Sequence, residues 1–145
     1  MSELLALAAT CPIIIVAVFS IRFFHVTTSS MAPTLRTGDR ILVCRSIWRV
    51  TPKRDEIIVF RDRAGSAHPR PRHLVKRVTA VAGDEVMLMG SRIRVPARTV
   101  FVMGDNVEVS RDSRDFGCVD SSAVTGKALV VAWPPKRMGL LRRSC

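Results

Sequence analysis

From Leu4 to Ile21 the chain carries no charged residue, and the run closes on Arg22-Phe23-Phe24-His25. A stretch of that length matches the hydrocarbon thickness of a bilayer, which takes about 20 residues of helix, and an aromatic and basic border suits the membrane interface. Pro12 falls inside the run; a membrane helix tolerates it because neighbouring groups can satisfy the freed carbonyl. A cleaved secretory signal is the alternative. It would open on a basic segment and hold an apolar core of roughly 7–15 residues, whereas Met1-Ser2-Glu3 has no Lys or Arg. The expectation is a retained anchor over residues 1–25, with Leu4 to Phe24 as a single-pass membrane helix.

Beyond the anchor the text changes to short Val- and Ile-rich runs punctuated by Gly, Pro and Asp, as β-structure is written. The candidate strands are Arg40–Cys44, Glu56–Phe60, Leu74–Val81, Val86–Met89, Arg92–Val95, Val100–Met103 and Val124–Ala132, with Gly90-Ser91 as a tight hairpin turn. Arg61 to Arg72 holds two prolines and no periodicity, which predicts an exposed loop. With 145 residues in all, residues 26–145 make one domain. The expected fold is all-β, a barrel-like or folded sheet behind one membrane helix.

The chain has 23 Lys and Arg against 12 Asp and Glu, a formal charge of +11, and every Lys or Arg lies at or beyond Arg22. A basic domain tied to a bilayer can rest against anionic headgroups, each nearby cation contributing about 1 kcal/mol. Nucleic acid is not the expected partner. There is no Tyr and only 6% aromatic residues, too few for a stacking platform. Cys11, Cys44, Cys118 and Cys145 lack C-x-x-C spacing, and His25, His68 and His73 form no H-E-x-x-H pattern, so neither a metal nor an organic cofactor is expected.

Three segments hold the residues that could do chemistry. Thr27-Thr28-Ser29-Ser30-Met31-Ala32-Pro33-Thr34-Leu35 is a hydroxyl cluster where the chain leaves the anchor; by composition alone it reads as a loop. In the strand around Lys76, alternation puts this lysine on one face with Leu74, Val78 and Ala80, and Val75, Thr79 and Val81 on the other. If the lysine face is buried, desolvation lowers the amine's pKa and makes it a base; if not, Lys76 snorkels to solvent. The third segment runs from Gly104-Asp105-Asn106 to Ser110-Arg111-Asp112-Ser113-Arg114. Extended, it would project Ser110, Asp112 and Arg114 to one side; otherwise it is a surface turn.

In this order, the three segments resemble the type I signal peptidases, Ser-Lys serine proteases that remove signal sequences at a membrane. Ser30-Met31-Ala32-Pro33-Thr34-Leu35 looks like the nucleophile box, Gly38 to Val43 like the first core strand, Lys76-Arg77-Val78 with Gly83-Asp84 like the lysine box, and Gly104 to Arg114 like the final motif. The resemblance implies Ser30 as nucleophile and Lys76 as general base, an oxyanion held by the Ser30 N–H with the Thr28 hydroxyl, and Ser110 orienting the lysine amine. Asp105, Asp112 and Arg114 would brace the segment. It further implies precursors bearing signal peptides as substrates, cut after small residues, and a catalytic domain on the outer face of a bacterial plasma membrane or a mitochondrial inner membrane. The Lys/Arg bias argues the opposite orientation. Bacterial members commonly carry Arg-Asp-Asn where this chain has Val107-Glu108-Val109, and often a Pro where it has Cys118; the short length and the Trp133-Pro134-Pro135-Lys136-Arg137 ending are more similar to mitochondrial inner membrane peptidases or small actinobacterial members, including the nickel-type superoxide dismutase maturation proteases. A protease dedicated to few precursors and an inactive membrane-tethered binding domain are the alternatives. The sequence leaves the oligomeric state and the use of Cys44, Cys118 and Cys145 open.

Overall fold

A computed structural model describes residues 21–45, 51–62, 72–88 and 90–141. The strands are β1 (Ile21–His25), β2 (Arg40–Arg45), β3 (Ile57–Arg61), β4 (His73–Val81), β5 (Glu85–Leu88), β6 (Ser91–Arg94), β7 (Thr99–Met103), β8 (Val119–Asp120), β9 (Val124–Trp133) and β10 (Gly139–Leu140). One four-residue helix, α1 (Ser113–Phe116), precedes β8, and 3-10 turns occupy Ser121–Ala123 and Pro135–Arg137. The all-β expectation holds.

The main sheet runs β1-β2-β9-β3-β4-β7-β8, every neighbouring pair antiparallel, with β10 added beside β9. Among the described residues β1 and β8 stay at opposite ends of this path and do not pair, so the sheet is open and not a closed barrel. Its centre is β3, whose unbroken run Ile57-Ile58-Val59-Phe60 is buried on both faces. Because side chains alternate across a strand, Ile57 and Val59 enter one core with Met31, Leu35, Ile41, Val43, Ala128 and Val131. Ile58 and Phe60 enter a second core with Val78, Val100, Val102 and Val119. Burying each of the Val, Leu, Ile, Phe and Met side chains among them stabilises the fold by roughly 1.5–3 kcal/mol. Hairpin β5–β6 stands apart as a small second sheet that covers Ala80, Val95 and Phe101 through Val86 and Leu88.

Two details differ from the sequence reading. Ile21–His25, assigned there to the anchor, pair in register with Arg40–Cys44 as the edge strand β1, because Phe24 packs onto the first core and draws the segment into the sheet. The rest of the anchor lies outside the described residues, as does most of the expected 61–72 loop; no described helix is long and apolar enough to cross a membrane. In the β5–β6 hairpin Leu88 faces Ser91, so Ser91 already belongs to the strand and Gly90, at φ +77°, takes the left-handed turn position that a side chain would disfavour.

Candidate active site

Lys76 leaves the middle of β4 on the buried side, beside Val78 and Ala80, and is 3% exposed. Its strand neighbours explain the burial. Ile58 pairs with Lys76 across β3–β4, so the amine emerges from a floor of β-branched side chains. Lys76 Nζ donates to the Ser30 Oγ at 2.7 Å. Burial pushes the lysine below its usual pKa; the charge of Asp112 pulls the other way, that of Arg114 reinforces the fall, and burial prevails. Of the two readings the strand pattern left open, the buried one holds.

Ser30 sits on the loop between β1 and β2. Buried Val26, Met31 and Leu35 pin that loop to the first core, and short-range bonds from Ala32 N–H to Ser29 and from Leu35 N–H to Met31 make Ser29 to Leu35 one compact turn. The Thr28 hydroxyl lies 3.3 Å from the Ser30 Oγ. Among the described residues the backbone N–H of Ser30 has no acceptor, which leaves a donor beside the hydroxyl.

The third segment grips this loop from the other side. Asn106 N–H donates to the Ser30 carbonyl at 3.0 Å, and its side-chain amide donates to the Ser29 carbonyl at 3.3 Å. Gly104 makes the approach possible: a Cβ there would stand 2.5 Å from the Ser30 carbonyl oxygen and would collide with the Ser110 hydroxyl. Of the two readings of this segment the extended one does not hold, and part of it is helical. Ser113 starts α1, Asp112 is its N-cap, and Asp112 and Asp115 form a reciprocal capping box. Asp112, fully buried, accepts from Gly104 N–H at 3.0 Å, the Ser110 hydroxyl at 2.7 Å and the Arg114 guanidinium at 2.9 and 3.0 Å. Burial alone would raise its pKa, but these donors outweigh it and hold the carboxyl at about 2. Asp112 and Arg114 thus pair as expected.

The Ser110 hydroxyl donates its proton to Asp112 at 2.7 Å, and the Lys76 amine bonds to the Ser30 hydroxyl. Asp105 is held by Arg77 through two bonds of 2.8 and 2.7 Å. Burial works against its ionisation, but the bonds from Arg77 and from the Thr34 hydroxyl keep its pKa low. Sequence reasoning gave no part to Arg77, to Gly104 or to the Asn106 amide. Alternation sends Arg77 off the face opposite Lys76, which hints at a separate partner, but nothing in the spacing names Asp105. Among the described residues no cluster of His, Cys, Asp or Glu could hold a metal ion.

A buried amine with a lowered pKa, 2.7 Å from a half-buried serine hydroxyl, has the geometry that a nucleophile and a base would need. The family model "Signal peptidase, peptidase S26" matches residues 2–95 and 88–133. The chain is 36% identical to the mitochondrial ATP-independent inner membrane protease subunit 1a of Arabidopsis thaliana, over 81% of this chain and 74% of that one. It is 29% identical to the signal peptidase I of Leptolyngbya laminosa, over 81% and 71%, and 32% identical to the mitochondrial inner membrane protease subunit 1 of Xenopus tropicalis, over 79% and 71%.

Proposed function

The chain belongs to the signal peptidase family, peptidase S26, and on that premise we propose that it is a membrane-bound serine endopeptidase that removes signal peptides from precursor proteins, with Ser30 as nucleophile and Lys76 as general base. The 2.7 Å contact between Lys76 Nζ and Ser30 Oγ carries the reading. Only a neutral amine can take the hydroxyl proton, and the burial of Lys76 favours that form.

In the reaction the Ser30 Oγ attacks the scissile carbonyl carbon while its proton passes to Lys76. The oxygen that becomes negative is met by the Ser30 N–H and the Thr28 hydroxyl; fixed donors of this kind typically contribute factors of about 10²–10³. Lys76 then returns the proton to the departing amine, the peptide C–N bond breaks, and the signal peptide remains as an ester on Ser30. Water, deprotonated by Lys76, attacks that ester, the bond from the acyl carbon to the Ser30 Oγ breaks, and Lys76 returns the proton to that oxygen. Asp105, Ser110, Asp112 and Arg114 act by holding the loop and the amine in register. No metal or organic cofactor enters any step.

The anchor and an outward-facing catalytic domain are part of the proposal, and protection of a C-terminal tag from added protease in intact cells would refute that orientation. The chemistry is tested with detergent-solubilised full chain and a panel of precursor peptides varied at the residues before the cut. Cleavage after small residues that vanishes in Ser30→Ala is the expected result. Unchanged turnover in Ser30→Ala would overturn the proposal and favour a tethered binding domain, whereas cutting of one peptide alone would mark a protease dedicated to few precursors.

A further inference from the structure

We infer that Arg137, on the turn that follows β9, is a positioning residue for the nucleophile: it fixes the Ser30 loop from its far end and so sets the Ser30–Lys76 distance. This rests on the reading of Ser30 and Lys76 given above.

Arg137 reaches back across almost the whole sequence. Its Nε donates to Asp39 Oδ1 at 3.0 Å, and its Nη2 donates to Asp39 Oδ2 at 3.0 Å and to the Thr34 carbonyl at 3.2 Å. Asp39 is 2% exposed and ion-paired with Arg137; its Oδ2 also accepts from Arg36 N–H at 2.9 Å. Asp39 closes the loop as well, its carbonyl accepting from Val26 N–H at 2.8 Å. One guanidinium therefore holds the neck of the loop and its descending limb together.

Thr34 is the point where this brace meets the rest of the site. Arg137 takes its carbonyl, and Arg77 approaches its hydroxyl at 3.5 Å. Arg77 is chained to Asp105, the neighbour of Asn106, which holds the Ser30 carbonyl. Ser29 to Leu35 is cross-linked by its own backbone bonds, so a shift at Thr34 moves Ser30 with it. The nucleophile needs that restraint. The loop between Val26 and Asp39 has no strand ladder of its own, and misplacing a reacting group by about 1 Å can cost about 10²-fold in rate. The fork of an arginine meets three acceptors here; a lysine, a single point of charge, could hold Asp39 but not Thr34 as well.

The test measures kcat and KM of the full chain on a precursor peptide that the unaltered protein cuts, per folded molecule, with the folded fraction read by circular dichroism. Arg137→Gln is expected to lower kcat by roughly 10–100-fold with KM changed less than about threefold, because the loop moves while the peptide-binding surface stays. Arg137→Lys, which keeps the charge on buried Asp39, is expected to fold as the unaltered chain does and to recover part of that loss. It also carries the test if Arg137→Gln fails to fold. Full kcat per folded molecule in Arg137→Lys and in any folded Arg137→Gln would overturn the inference and leave Arg137 a support of the fold alone. If Ser30→Ala were active in the same assay, the underlying Ser-Lys reading would fail instead.

Discussion

Asn106 holds Ser30 through its backbone, N–H to carbonyl at 3.0 Å, while its side chain makes only a 3.3 Å bond to the Ser29 carbonyl. The amino-acid identity at 106 therefore matters less than the presence of an N–H. Asn106→Ala is expected to reduce kcat/KM by no more than about tenfold, the worth of one neutral hydrogen bond of roughly 0.5–1.5 kcal/mol. Asn106→Pro, which deletes the donor, is expected to lose about 10²-fold. Steady-state kinetics on one precursor peptide separates the two.

Ser30→Ala and Lys76→Ala are each expected to abolish cleavage with the fold retained. The double variant is expected to be no slower than either single one, since nucleophile and base act as a unit. Lys76→Arg is expected not to rescue, because a guanidinium stays protonated. A double variant clearly slower than both singles, in single-turnover assays with melting curves as the control, would mean that the two residues act separately.

The pH profile follows from the lowered pKa of Lys76, whose first cause is burial. Below that pKa the amine is charged and cannot accept a proton, so kcat/KM is expected to fall on the acid side along a single titration. Asp112 is the largest influence opposing the shift. Replacing it by Asn removes a negative charge that favours the ammonium form, and the acid limb of the residual activity is expected to move to lower pH. A limb that moved upward would contradict the assignment of Lys76.

Asp112 also links stability to pH. Its folded pKa of about 2 lies below the ordinary carboxyl value of 3.8. Its contribution is thus fully present above the unfolded value and is lost as pH falls through the folded one. Asp112→Asn is expected to destabilise by about 1.5–3 kcal/mol at pH 7, as for hydrogen bonds to a charged group. Urea unfolding midpoints at pH 7 and pH 3 are expected to differ between the two proteins less at the lower pH.

Gly104→Ala tests the closeness of two chain segments. The added methyl would meet the Ser110 side chain and the Ser30 carbonyl, so the expected outcome is an activity loss of roughly 10²-fold. Ser110→Ala leaves Asp112 its other donors and is expected to weaken cleavage without erasing it.

The sequence was most legible where alternation and burial coincide. All seven candidate strands are present, their ends moved by a residue or so, and Lys76 emerges on the face that alternation put with Val78 and Ala80. What it concealed were elements too short to carry a period: β8 and β10 have two residues each. The strand β1 was hidden differently, by an apolar run that made Ile21 to Phe24 look like the end of the anchor. In the site, Ser30 and Lys76 were singled out through resemblance and lie in contact, whereas the bond from Ser110 to Asp112 was not anticipated. Residues two apart look alike in any extended model, and only the capping box of α1 turns Asp112 inward to take the Ser110 hydroxyl.

Strand β9 stands between β2 and β3 in the main sheet. Ser30 follows β1 and precedes β2, Lys76 lies on β4, and the order of the sheet places them on opposite sides of a strand that is made late. During synthesis the two ribbons emerge from the ribosome first, with no ladder of bonds to join them. Only when Val124 to Trp133 has been translated and inserted do the strands that carry the Ser30 loop and Lys76 belong to one sheet. The protease is thus assembled by a strand made near the end of the chain, and a chain released before Val124 is expected to cut nothing.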